Sequence, residues 1–152
     1  MDEERFLALC RVAGERVQPG DPGQLARTGE LELDGVRIGL FFDSATDKGI
    51  HWYVDLGRVG EGERARVFHQ ALALNLTLEG AHGESLAFDE ESGRLVLRSL
   101  IRSGDIANGA QLAGAQLADW LRQYADFAHA FRMRLEGAAS GLENASLLHA
   151  RA

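Results

Sequence analysis

Sulfur, proline and lysine are scarce in this chain: it has one cysteine, two prolines and, beside 15 arginines, the single Lys48 among 152 residues. A lone thiol, Cys10, forms no internal disulfide, and a zinc site would have to gather its other ligands from scattered histidines and acids. A reducing compartment fits this usage. Long apolar runs are also missing. Stretches such as Ile38 to Phe42 and Ala71 to Leu74 fall far short of the roughly 20 residues that span a bilayer, so no membrane insertion is expected. Positive charge is in the minority, with 16 basic against 23 acidic residues and a net charge of −7. A nucleic-acid surface needs clustered positive charge, as does a basic membrane-surface domain, and both classes are disfavoured. The opening Met1-Asp2-Glu3-Glu4-Arg5 carries acids where a secretory signal carries bases, which predicts a cytoplasmic chain.

What is present is enough for one compact domain: 45% hydrophobic residues in a length of ordinary domain size. Residues 2–17 read as an amphipathic helix, because Phe6, Leu9, Cys10, Ala13 and Val17 recur at spacings of three and four. Gln18-Pro19-Gly20-Asp21-Pro22-Gly23 ends it, and a loop is expected to about Gly29. From Glu30 the period changes to two. Leu31 and Leu33 alternate with acids, Asp34-Gly35 is a hairpin turn signal, and Val36, Ile38, Leu40 and Phe42 continue the alternation. A third strand follows through Ile50, Trp52, Val54 and Leu56. A second helix is expected over 63–78, two short strands over 86–88 and 95–100, and a long helix over 108–136. Residues 137–152 are small, polar and weakly patterned, and are expected to form a flexible tail. The reading is an α+β domain over 1–136 with an antiparallel five-stranded sheet and three helices, in the order α-β-β-β-α-β-β-α.

Motifs with chemical meaning fare poorly in this context. Gly60-Glu61-Gly62-Glu63-Arg64-Ala65 has dinucleotide-turn spacing, but it follows an antiparallel strand, and its glutamates stand where a pyrophosphate would sit. His51, His69, His82, His129 and His149 show no metal-ligand spacing. Asp43-Ser44-Ala45-Thr46-Asp47 lacks the repeated oxygen ligands and closing glutamate of a calcium loop. No G-x-S-x-G elbow occurs, and Cys10 falls on the buried stripe of the first helix. The sequons at Asn75 and Asn144 are chance matches in a cytoplasmic chain. No catalytic residue, metal or cofactor is assigned.

The unusual feature is apolar surplus. Phe41 and Tyr53 sit out of phase with the core-facing residues of their strands, although a sheet with helices on one side should show a polar outer face. Either another helix of the chain or another polypeptide covers them. Leu74 and Leu76 likewise add apolar surface to the second helix beyond what one sheet would use.

Several stretches together resemble the type III secretion chaperone family of the Tir-chaperone kind, small acidic cytoplasmic proteins of Gram-negative bacteria. They are the opening helix Arg5-Phe6-Leu7-Ala8-Leu9-Cys10, the strand pair Leu31 to Leu40, the helix end Ala71-Leu72-Ala73-Leu74-Asn75, and the segments Gly83 to Asp89 and Gly93 to Leu97. The resemblance spans about residues 4–136, and the tail has no counterpart in it. It implies a homodimer without enzymatic activity, built largely through the second helix, that binds the N-terminal region of a secreted effector in extended form. An extended client adds a strand to a sheet edge while alternate side chains enter apolar grooves. The expected effector contacts are Phe6, Leu9, Leu31, Phe41 and Tyr53, and the expected dimer contacts are Phe68, Leu72 and Leu76. The negative net charge would favour clients with basic segments. Two alternatives stand beside this one: a chaperone-like protein that sequesters a secretion regulator, and a small-ligand domain with His51, Tyr53 or Asp55 in a pocket between sheet and helices.

Overall fold

The computed structural model describes the chain except residues 19, 43–48, 79–81 and 150–152, and for residues 136–149 it describes the backbone alone. The first helix, α1 (Glu3–Val17), starts where Asp2 accepts a hydrogen bond from the Arg5 N–H at 2.8 Å, with Glu3 and Glu4 in its first turn. That is a side-chain cap together with acids at the positive end of the helix dipole. Its Phe6, Leu9, Cys10 and Ala13 are buried as the periodicity required. A short helix, α2 (Gln24–Thr28), occupies part of the segment read as a loop. It buries Leu25 and ends at Gly29, which takes a left-handed conformation with φ 70°.

The sheet comprises β1 (Glu30–Leu33), β2 (Val36–Phe42), β3 (Gly49–Arg58), β4 (Ser85–Asp89) and β5 (Arg94–Arg102). They lie in the order β1-β2-β3-β5-β4, and every neighbouring pair is antiparallel. Asp34 and Gly35 both have positive φ, 51° and 75°, as a tight two-residue hairpin between Leu33 and Val36 requires. In β3 Leu56 keeps the core-facing phase of Ile50, Trp52 and Val54, and the register slips between Asp55 and Gly57, so that this bulge brings Arg58 opposite Arg94. One face of the sheet contributes Leu31, Val36, Ile38, Leu40, Ile50, Trp52, Val54, Leu95, Leu97 and Ile101 to a single hydrophobic cluster.

The helix read over 63–78 is α3 (Arg64–Thr77), preceded by a 3-10 turn at Glu61–Glu63. It lies along the β4 edge, with Val67 and Ala71 in the common core. The last helix, α4 (Ala110–His149), continues past the end expected at Glu136. Its Leu117, Leu121, Tyr124, Ala128 and Phe131 are buried in the same cluster, and α1 packs along it. Contact between the two helices is close at Gly114, where any Cβ would collide with Val12. Glycine there sets the helix separation. Arg132 ties α4 across the hairpin end of the sheet, donating to the carbonyls of Leu56 (3.2 Å), Asp55 (2.8 Å) and Gly35 (3.3 Å). The sheet is therefore two-faced: α1, α3 and α4 share the core with one side, and no described element covers the other.

Candidate functional site

Strand alternation, shifted once by the β3 bulge, decides which side chains reach the open face. On β2 these are Arg37 and Phe41; on β3, His51, Tyr53, Asp55 and, past the bulge, Arg58; on β5, Arg94, Val96, Arg98, Leu100 and Arg102. Registers place them in rows. Phe41 lies opposite His51, which lies opposite Leu100; one row further along, Tyr53 lies opposite Arg98, which lies opposite Ser85. The Phe41 and His51 rings meet with centroids 6.2 Å apart. Phe41 is 58% exposed and Tyr53 43% exposed. An aromatic side chain left this open forfeits part of about 1.5–3 kcal/mol of burial energy, which is the physical mark of a surface that something else can cover.

Of the expected effector contacts, the structure brings Phe41 and Tyr53 together on this face and places the other three elsewhere. Phe6, Leu9 and Leu31 are core residues, with Phe6 stacked on Phe42 at 5.7 Å. Their apolar character serves the packing of α1 on the sheet, and no surface is left for a partner. The expected dimer residues, by contrast, lie along one stripe of α3. Leu72 is 70% exposed and Leu76 88% exposed, while Phe68 is half-buried against the Phe88 ring at 4.8 Å. Arg64 stands over that same Phe88 ring at 5.4 Å, capping the cluster.

The polar residues of the ligand-pocket reading lie apart from the cavity between α3 and α4. His51, Tyr53 and Asp55 are on the open face, whereas that cavity, about 480 Å³, lies on the helix side. Leu74, Leu78, Leu97, Trp120 and Phe127 form its apolar wall, and Glu84, His82 and Tyr124 its polar one. Tyr124 donates to Glu84 at 2.8 Å and stands 3.4 Å from Ser99. Burial, reinforced by the Glu84 charge, pushes the Tyr124 hydroxyl pKa upward against the opposing Ser99 hydrogen bond. It remains a donor at any physiological pH.

Asp55 forms an ion pair with Arg94 at 2.6 Å and accepts from the Gly57 N–H at 2.9 Å. Burial works against its charge, but the Arg94 and Gly57 hydrogen bonds and the charges of Arg94 and Arg132 outweigh it and hold the carboxyl below its ordinary pKa. Cys10 is fully buried, and burial pushes its thiol up to about 12, so it is no nucleophile. Among the described residues no group of three His, Cys, Asp or Glu side chains is placed to hold a metal ion. Gly60 to Ala65 is a strand-to-helix connection through the 3-10 turn, with Arg66 paired to Glu63. The Asp43 to Asp47 segment lies outside the described residues.

Two features escaped the sequence. Asn75 reaches from α3 to the backbone of Leu86, and the arginines of β2, β3 and β5 all fall on one side of the sheet. The second was visible in principle, because Arg94, Arg98 and Arg102 recur at even spacing along an alternating strand. The class defined by this architecture is an α+β domain in which one five-stranded antiparallel sheet carries its helices on a single face. The chain matches no family model, no curated protein and no solved structure.

Proposed function

We propose that this chain is a homodimeric chaperone without enzymatic activity, which binds the N-terminal segment of a secreted effector in extended form in the bacterial cytoplasm. The observation that carries the reading is the open sheet face with Phe41 and Tyr53 exposed on neighbouring central strands. An extended polypeptide suits such a face, since its alternate side chains point the same way and can seat on aromatic rings. The Leu72 and Leu76 stripe of α3 supports a second contact surface, distinct from the first and suited to a symmetric pair. No helix among the described residues is long and apolar enough to cross a membrane, which agrees with the proposed compartment. The chaperone-family resemblance adds to this reading, and sequestration of a secretion regulator would use the same surfaces.

The test is affinity capture of the tagged protein from its host, with mass spectrometry of the bound polypeptide and limited proteolysis of the complex. The expected result is a larger protein protected over a stretch near its N-terminus, whose capture is lost in Phe41→Asp/Tyr53→Asp. Capture that survives that double substitution removes the open face from the proposal. The 480 Å³ cavity favours one second reading, a small-ligand domain. A metabolite screen that raises the melting temperature of wild type but not of Tyr124→Phe would support it.

A further inference from the structure

The open face has a charge of its own. Arg37, Arg58, Arg94, Arg98 and Arg102 all stand on it, in a chain whose net charge is −7. Four acids share the face: Glu32, Asp55 and Asp89 gather towards the β1–β2 hairpin end, and Glu30 stands on the β1 edge in the row of Gly39, Tyr53 and Arg98, with two strands between it and Arg98. Glu32 lies opposite Arg37, while Arg94 faces Asp89 and is paired to Asp55. Arg98 and Arg102 differ. Their cross-strand neighbours are Tyr53 and Ser85 for Arg98 and Gly49 for Arg102, and neither arginine forms an ion pair with a described residue. Both are exposed, and the half-buried Leu100 lies between them on β5, in the row of His51 and Phe41.

We infer that this half of the sheet selects an acidic extended segment with the pattern acid-x-apolar-x-acid. This rests on the client-binding reading and names the chemistry of its client. Arg98 and Arg102 are four residues apart in an extended strand, about 13 Å at roughly 3.3 Å per residue. A second extended chain running alongside repeats that spacing, so carboxylates at i and i+4 meet the two guanidinium groups. Position i+2 then points the same way and lies over Leu100, with His51 beside it on β3. Carboxylate and guanidinium geometries match bidentately. Net charge alone predicts the opposite preference, for basic clients; contact distances favour the local arginines, since at physiological salt the field of distant acids is screened within about 8 Å. A phosphate backbone is the poorer occupant, because a polyanion tracking across the face would also meet Glu30, Glu32 and Asp55.

Fluorescence anisotropy with three labelled probes tests this: a peptide with an Asp-Ser-Leu-Thr-Asp core, its Lys-Ser-Leu-Thr-Lys counterpart, and single-stranded oligothymidylate. The acidic peptide is expected to bind, to weaken as salt rises, and to lose about tenfold in affinity in Arg98→Glu/Arg102→Glu, while the lysine peptide gains. Both arginines are exposed, so circular dichroism should show the fold unchanged in that variant. Three results overturn the inference: no binding of the acidic peptide, equal or tighter binding of the lysine peptide to wild type, or oligothymidylate binding that the arginine substitutions abolish. Failure of the acidic peptide combined with a captured client that still requires Phe41 and Tyr53 removes the charge selection alone. Failure of both removes the chaperone reading with it.

Discussion

Asn75 holds Leu86 by both ends of its backbone unit: the side-chain amide donates to the Leu86 carbonyl at 3.0 Å, and its oxygen accepts from the Leu86 N–H at 2.7 Å. A side chain of α3 thus satisfies backbone groups of β4 on the edge away from β5. An edge strand left open is a template for uncontrolled pairing, and a helix laid along it is one of the ways natural sheets close that edge. The opposite edge, β1, is short and carries Glu30 and Glu32 instead.

Asn75→Leu removes both hydrogen bonds and leaves the Leu86 groups without partners. The expected cost is about 1–3 kcal/mol of unfolding free energy, read from urea denaturation. Amide exchange should accelerate most at β4 and at the C-terminal half of α3. Uniform acceleration across the sheet would mean that Asn75 contributes only to global stability.

Leu76→Asp changes a side chain that is 88% exposed in the isolated chain, so the melting temperature of the monomer should barely move. In the proposed dimer the same aspartate is buried in an apolar contact and uncompensated. Light scattering should therefore report about 33 kDa for wild type, twice 16.5 kDa, and a mass near 16.5 kDa for the variant. A wild-type mass of one chain at micromolar concentration sinks the dimer.

Gly114→Leu tests the α1–α4 contact. Glycine has no Cβ where Val12 closes against α4, and a larger residue must push the helices apart. Overpacking of this kind costs about 1–3 kcal/mol, and more where a helix pair has to separate. A variant as stable as wild type would show that α1 slides freely on α4.

Much of this fold was legible because its strands have one buried and one open face. Alternation from Leu31 to Phe42 and from Ile50 to Leu56, with Asp34-Gly35 between Leu33 and Val36, fixes register as well as strand identity. Phe41 and Tyr53 stood out because they broke that alternation, and they are exposed. Phe6, Leu9 and Leu31 were read as partner contacts because apolar character does not distinguish a groove from a core; which of the two a residue serves depends on what packs against it. Helix α2 is only Gln24–Thr28 and is flanked by glycine and proline, below the length at which periodicity speaks. The continuation of α4 to His149 runs through a stretch of weak amphipathic pattern, where helix propensity and continuity with a packed helix carry more weight than a stripe does. The reach of Asn75 to Leu86 and of Arg132 to the Leu56 and Gly35 carbonyls joins elements distant in sequence, and no local pattern encodes it.

Asp55 offers a pH test of the sheet itself. Its folded pKa is lowered below the unfolded value of about 3.9 by Arg94, the Gly57 N–H and Arg132, which prevail over burial. A carboxyl with a depressed folded pKa contributes stability that is fully present above its unfolded pKa and is lost as pH falls through the folded one. Above about pH 5 the wild type should be more stable than Asp55→Asn, because asparagine keeps the size of the side chain and loses the ion pair with Arg94. Below about pH 4 the two unfolding curves should converge, since protonation removes from the wild type what the substitution removed from the variant. The measurement is urea unfolding of both proteins at steps from pH 7 to pH 3. A stability difference that stays constant over that range would mean that the ionisation of Asp55 contributes nothing to stability and that the two side chains differ in packing alone.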